Sequence, residues 1–142
     1  MSLQSTRSSI SNELAKLRSL NNHDKVKVPI TMVSDLNPDD MILVKGEWIK
    51  SPWENMIMML TDVDEHTQSQ TLHCKTTDAV DCKAHKHDGY LEEVHILSGT
   101  MYDKAHNVTL HAGGRIKYNA GEVHWPDFPG PASFIVIFRK VE

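Results

Sequence analysis

An all-β domain, a small barrel or two-layer sandwich, is what this sequence predicts, and three observations carry the prediction. From Met41 onward, short apolar and β-branched runs recur at near-regular spacing with turn residues between them. Asp88-Gly89 lies between two such runs, and this dipeptide is a strong hairpin signal, because a type I′ turn needs positive φ at both central residues. Neither an internal repeat nor a low-complexity linker interrupts the pattern. A chain of 142 residues suffices for one domain whose core needs no disulfide or metal staple.

The elements follow in order. Residues 1–8 are polar and are expected to fray. Ser9 or Ser11 can cap a short helix reaching about Leu20, with Ile10, Leu14 and Leu17 on one stripe, and Asn21-Asn22 stops it. That stripe either packs on the outside of the β domain or serves as a dimerisation arm. Pro29 to Pro38 reads as an extended segment entering a turn at Asn37-Pro38-Asp39-Asp40. The domain division is therefore a helix and arm over residues 1–40 and a β-barrel over 41–142. Strands are expected at Met41–Val44, Glu47–Ile49, Met56–Leu60 and Thr67–Lys75. After the Asp88-Gly89 hairpin come Thr100–Asp103, Val108–His111, Ile116–Tyr118, Val123–Trp125 and Phe134–Arg139, with a polar tip at Lys104-Ala105-His106-Asn107.

Composition removes several function classes. The net charge is −4 and no long basic run exists, so the cationic footprint that nucleic acid requires is missing. No apolar stretch nears the length of a membrane span; the longest, Asn55 to Leu60, is a strand at most. The first residues have no apolar signal-peptide region, which makes a cytoplasmic protein the expectation. Cys74 and Cys82 lack zinc-knuckle spacing and read as reduced, half-buried residues, or else as sulfur near a metal. Without a secretory signal, the sequon Asn107-Val108-Thr109 reads as chance.

Chemistry concentrates between Ala84 and Gly99, in A-H-K-H-D-G-Y-L-E-E-V-H-I-L-S-G. Residues two apart on a strand share a face, so His85 and His87 point the same way. If Asp88-Gly89 is the whole loop, His87 lies opposite Tyr90 and His85 opposite Glu92. Two imidazoles and a carboxylate then share one patch, a metal site lacking a fourth ligand. Glu93 could take the place of Glu92 were the loop one residue longer.

These residues resemble the cupin superfamily. Its first motif reads G-x5-H-x-H-x(3,4)-E-x6-G, and His85, His87, Glu92 and Gly99 match the last four fixed positions. Its second reads G-x5-P-x-G-x2-H-x3-N, matched by Gly113, Gly121 and His124. Ala79, Asn119 and Phe128 depart from the pattern, none at a ligand position, which puts local turn geometry and subfamily in question rather than metal binding. The resemblance spans about the C-terminal half, and two motifs in order are more specific than either alone. It implies a jelly-roll barrel (a double-stranded β-helix) with a metal in one mouth, His124 as fourth ligand, and a homodimer. Some cupins use three histidines, which would leave Glu92 as a catalytic acid–base group.

His95 has the opposite strand parity from Glu92 and should face away. His23, His66 and His106 belong to polar loops and read as solvated, while His73 and His111 are half-buried strand histidines or orient a ligand. Met56, Met58 and Met59 fill a core or line a pocket. Tyr90, Arg115 and Tyr118 are candidate substrate contacts, and Trp125, beside His124, is a lid or a packed aromatic.

Neutral imidazoles with one carboxylate suit Fe(II), Mn(II), Ni(II), Zn(II) or Co(II). Four ligands on a six-coordinate metal leave two adjacent positions for a chelating small molecule, or for a substrate with O₂. With Fe(II) this implies dioxygenation, and with Zn(II) or Mn(II) Lewis-acid chemistry. Within the cupins, E-E-V-H-I-L-S-G-T-M-Y-D and G-E-V-H-W-P resemble the small group of anti-sigma-factor sensor cupins and of dihydroxyacetophenone and diketone dioxygenases. Two expectations follow: an Fe(II)-type dioxygenase or related enzyme, favoured because residues 1–40 are too few for a signalling domain, or a non-catalytic Zn-type sensor or scaffold.

Overall fold

Alternation of inward apolar and outward polar side chains runs through nearly every segment of the chain, and it yields strands throughout. The computed structural model describes residues 25–33 and 41–141, which contain fourteen strands and no helix. They are β1 (Lys25–Val28), β2 (Thr31–Met32), β3 (Met41–Val44), β4 (Trp48–Lys50), β5 (Met56–Asp64), β6 (Ser69–Thr76) and β7 (Val80–Asp81). Then follow β8 (His85–Lys86), β9 (Tyr90–Ser98), β10 (Met101–Asp103), β11 (Val108–Leu110), β12 (Arg115–Tyr118), β13 (Pro126–Phe128) and β14 (Ala132–Lys140).

A six-stranded sheet in the order β12-β9-β14-β6-β5-β4 faces a four-stranded sheet in the order β11-β10-β13-β7, and β1-β3 and β2-β8 form two short pairs. Every one of these pairings is antiparallel. One face of such sheets is dry and the other wet, hence the clean alternation. Leu72 and Cys74 of β6, Val94 and Ile96 of β9, and Phe134, Val136 and Phe138 of β14 point inward. They meet Val28, Leu43, Met101 and Phe128 from the opposite wall. Glu92 and His85 are buried with them, so polar side chains sit in an apolar barrel.

The described part of the N-terminal arm is woven into the barrel: β1 pairs along β3, and Thr31–Met32 pair with Lys86 and His85. The helix expected over residues 9–20 and the turn at Asn37-Pro38-Asp39-Asp40 lie outside the described residues. One strand moves. The run Val123–Trp125 was expected to be extended, but His124 makes only an isolated bridge to His85 and the strand begins at Pro126.

Candidate metal centre

The turn after β8 decides how the first two histidines reach the site. Gly89 has φ +79°, whereas Asp88 is not among the residues at positive φ, and Tyr90 N–H donates to His87 O at 3.3 Å. A type I′ turn is thereby ruled out. Glycine at the third position fits a type II turn, whose twist splays the strands it joins. The hairpin expected to set His85 opposite Glu92 is therefore corrected. β8 leaves to pair with β2 and to bridge His124, while β9 joins β12 and β14. His85 and Glu92 meet because the barrel closes, not because they are ladder partners.

All three imidazoles are oriented by backbone carbonyls. His85 Nδ1 lies 2.9 Å from Lys83 O and 3.1 Å from Cys82 O, His87 Nδ1 2.9 Å from Pro29 O, and His124 Nδ1 3.3 Å from Glu122 O. A carbonyl only accepts, so each Nδ1 carries the proton and each Nε2 is left to the centre. One ring nitrogen from each of these buried residues lies within 4.8 Å of the other two, the spacing of a shared metal ion. An aromatic ring flanks each ligand: Trp53 lies 4.8 Å from His85, Phe138 4.8 Å from His87, and Tyr118 stacks 4.4 Å from His124.

Glu92 lies beside these nitrogens. Its Oε1 is 3.1 Å from His124 Nε2 and 3.7 Å from His87 Nε2, yet it is buried without a hydrogen bond. A buried carboxylate oxygen left this way is costly unless a cation satisfies it. Burial works to raise the Glu92 carboxyl, but the charges of His124 and His87 outweigh it and hold it at about 2. Burial pushes His85 down to about 3, helped by repulsion from His124 and His87, so its imidazole is neutral. His87 is lowered too, chiefly by burial. His124 goes the other way: burial opposes, but the Glu92 carboxylate raises it. Imidazole nitrogens that give up any proton to an incoming ion, beside an anionic oxygen in a dry pocket, fit a divalent transition metal.

The space before these ligands is a cavity of about 50 Å³ walled by apolar side chains such as Met41, Met56, Met58, Phe134 and Val136. It has room for an ion and a very small ligand. Cys74 and Cys82 also border it, both as free buried thiols that burial keeps protonated.

The other candidates divide. Tyr118 is brought to the site, but its hydroxyl donates to Asp103 at 2.8 Å and only its ring faces the cavity. Tyr90 is half-buried beside Phe138 and does not border the cavity. Arg115 is exposed on the outer face opposite His95. Trp125 donates its indole N–H to Asp81 at 2.7 Å, lies under Lys104 and does not border the cavity. Met59 faces outward while Met56 and Met58 line the cavity. His95 does face away, 3.1 Å from Glu93. His73 is a half-buried strand histidine bonded to Ser133 at 2.8 Å, and His111 is exposed. His106 is not simply solvated, since both its nitrogens meet carboxylates. Sequence reasoning missed Trp53, Asp103 and the carbonyl of Pro29. Only Asp103 left a signal, a carboxylate with the inward parity of Met101.

Among solved structures, an RmlC-like cupin from Shewanella frigidimarina aligns over 70% of this chain and 91% of its own, at 11% identity and TM-score 0.58. A predicted oxalate decarboxylase from Thermotoga maritima aligns over 68% and 93%, at 21% identity and TM-score 0.57. An acetylacetone dioxygenase from Acinetobacter johnsonii aligns over 77% and 79%, at 14% identity and TM-score 0.56. This chain has the cupin fold. No family model and no curated protein matches its sequence. Two of the three departures from the cupin pattern, Asn119 and Phe128, make local contacts of their own. Asn119, in place of proline, uses its N–H to donate to Glu122 Oε1 at 2.8 Å, a bond proline lacks. Gly121, at φ +74°, donates its N–H to His87 O at 3.2 Å and ties the two motifs together. Phe128 is buried and stacks on Phe134.

Proposed function

We propose that this cupin is a mononuclear metal-dependent enzyme, an Fe(II)-type dioxygenase or a related enzyme acting on a small chelating substrate. The observation that carries the reading is the donor set: three imidazoles whose Nδ1–H groups are taken by carbonyls, and a buried Glu92 Oε1 with no hydrogen bond. His85, His87, His124 and Glu92 would hold the ion. When bound, a redox-active ion supplies Lewis acidity and access to O₂. The chain's own residues do the rest. Met41, Met58 and Val136 keep bulk water from the centre, and Trp53 and Phe138 brace the ligand rings. Where the three histidines suffice as ligands, Glu92 Oε1 is free to take a proton from an enolisable substrate.

Charge narrows the substrate. No Lys or Arg is among the described residues bordering the cavity, so a dianion would find no counter-charge in its walls. A small neutral or singly ionised chelator fits better, and the likeness in fold to an acetylacetone dioxygenase agrees with that. A Zn-type binding role is the second reading, favoured because the described residues around the cavity offer no titratable group other than Glu92, the ligand histidines, the protonated thiols and Tyr118.

Elemental analysis of purified protein beside His85→Ala and His124→Ala tests this. Near-stoichiometric iron lost in both variants, with oxygen uptake on adding a diketone, catechol or thiol, is the expected result. Stoichiometric zinc without oxygen uptake moves the protein to the binding role. Metal retained in both variants overturns the site.

A further inference from the structure

His124 differs from His85, its bridge partner, in where it is anchored. His85 lies in a strand, whereas His124 occupies an isolated bridge in the turn between β12 and β13. Something other than a ladder must hold its ring.

Beside it lies Asp103, fully buried at the end of β10 with all four of its carboxylate bonds made. Oδ1 accepts from Ala105 N at 3.0 Å and Trp125 N at 2.9 Å, and Oδ2 accepts from Tyr118 Oη at 2.8 Å and His106 Nδ1 at 2.7 Å. These bonds reach His124 by three routes. Trp125 N is the amide that follows it in the chain. The Tyr118 ring, fixed by its hydroxyl bond to Asp103, stacks on the imidazole with planes 16° apart. His106 Nε2 continues to Glu122 Oε2 at 2.7 Å, and Glu122 supplies the carbonyl that receives His124 Nδ1–H. Glu122 is held again by the Asn119 N–H. Both nitrogens of His106 face carboxylates, so both must be protonated, and a cation bridges two anions, one at the end of β10 and one in the segment before His124.

We propose that Asp103, Tyr118 and His106 are positioning residues for His124, and that this buried-carboxylate network sets how tightly the centre holds its metal. The inference rests on the reading of the site as a metal centre. It concerns one ligand, because no described contact of Asp103 or His106 reaches His85 or His87.

Co(II) titration of the full chain, read by its visible absorption and by competition with a chelator, tests it. The variants are His106→Ala, Tyr118→Phe and Asp103→Asn, with His95→Ala as control because it removes a comparable outer-face His–Glu pair. Loss of a residue that orients a ligand costs about 10- to 100-fold in metal affinity. We expect that range for Asp103→Asn, its lower end for His106→Ala, a shifted absorption band in both, and no change for His95→Ala. His106 lies in an exposed loop, so its variant folds even should Asp103→Asn fail to. Wild-type affinity and spectrum in folded His106→Ala and Tyr118→Phe overturn the network while leaving the metal centre standing. An equal loss in His95→Ala also overturns it. Absence of Co(II) binding by the wild type overturns the metal centre itself, and this inference with it.

Discussion

Glu92 and Glu93 are one peptide apart on β9 and have opposite fates. Glu92 points into the barrel, is 7% exposed, and presents an unbonded oxygen to His124 and His87. Glu93 points out, its side chain 35% exposed, between His95 at 3.1 Å and Lys117 at 3.4 Å. Both carboxyls are held below their usual range, but for different reasons. For Glu93 the hydrogen bond from His95 leads, with Lys117 adding to it against slight burial. For Glu92 strong burial works the other way and only the converging imidazoles overcome it. Strand parity turns the same residue into a metal-ligand candidate on one face and into a solvated ion pair on the other.

The sharpest way to break that contrast is to neutralise each in turn. Glu92→Gln should weaken Co(II) or Fe(II) binding on the order of a hundredfold, by losing the one anionic donor, while Glu93→Gln should leave it within about twofold. An ion present at 100 times its Kd adds about 2.7 kcal/mol to stability, so the metal-dependent rise in Tm should nearly vanish in the first variant only. An unchanged rise in Glu92→Gln removes Glu92 from the ligand set.

Packing along the same strand gives a second contrast of the same sign. Ile96 is buried and Leu97 is 53% exposed. Ile96→Ala should cost about 2–5 kcal/mol in urea melts and Leu97→Ala no more than about 0.5 kcal/mol. Comparable costs would mean that the outer face of β9 is also covered in solution.

Acid titration gives the smallest effect. A carboxyl lowered by folding contributes stability that is present above its unfolded pKa and is lost as pH falls toward the folded one. Glu93 is solvent-screened, so its share is at most about 1 kcal/mol. Glu93→Gln should be slightly less stable than wild type at pH 7 and equal to it near about pH 2. A gap that persists in acid would assign the loss to packing instead.

Much of the site was legible because strand parity and turn chemistry are local. His85, His87, Glu92 and His124 are recognisable from two spaced patterns. Gly99 is dictated by its turn: it has φ +84°, and a Cβ there would sit 2.6 Å from Pro131 O. Arg115 and Trp125 lie near a motif in the chain, but nearness in the chain says nothing about which sheet face a residue occupies. Asp103 shares the inward parity of Met101, but that parity alone does not reveal what a lone carboxylate in a strand will bond. Its importance comes from four donors supplied by three other segments.

By itself, then, the sequence determined which residues share a face and where the chain must turn, since both follow from φ and ψ preferences and a two-residue period. Which strands become neighbours was decided only in the tertiary structure. β8 could have paired with β9, its neighbour in the chain, but it pairs with β2 and bridges to His124, residues about 54 and 39 positions away. That choice belongs to the whole barrel, because strand pairing answers to the burial of both faces at once rather than to any intrinsic preference of the residues paired. It brings three imidazoles and a carboxylate from separate strands and turns to one dry cavity.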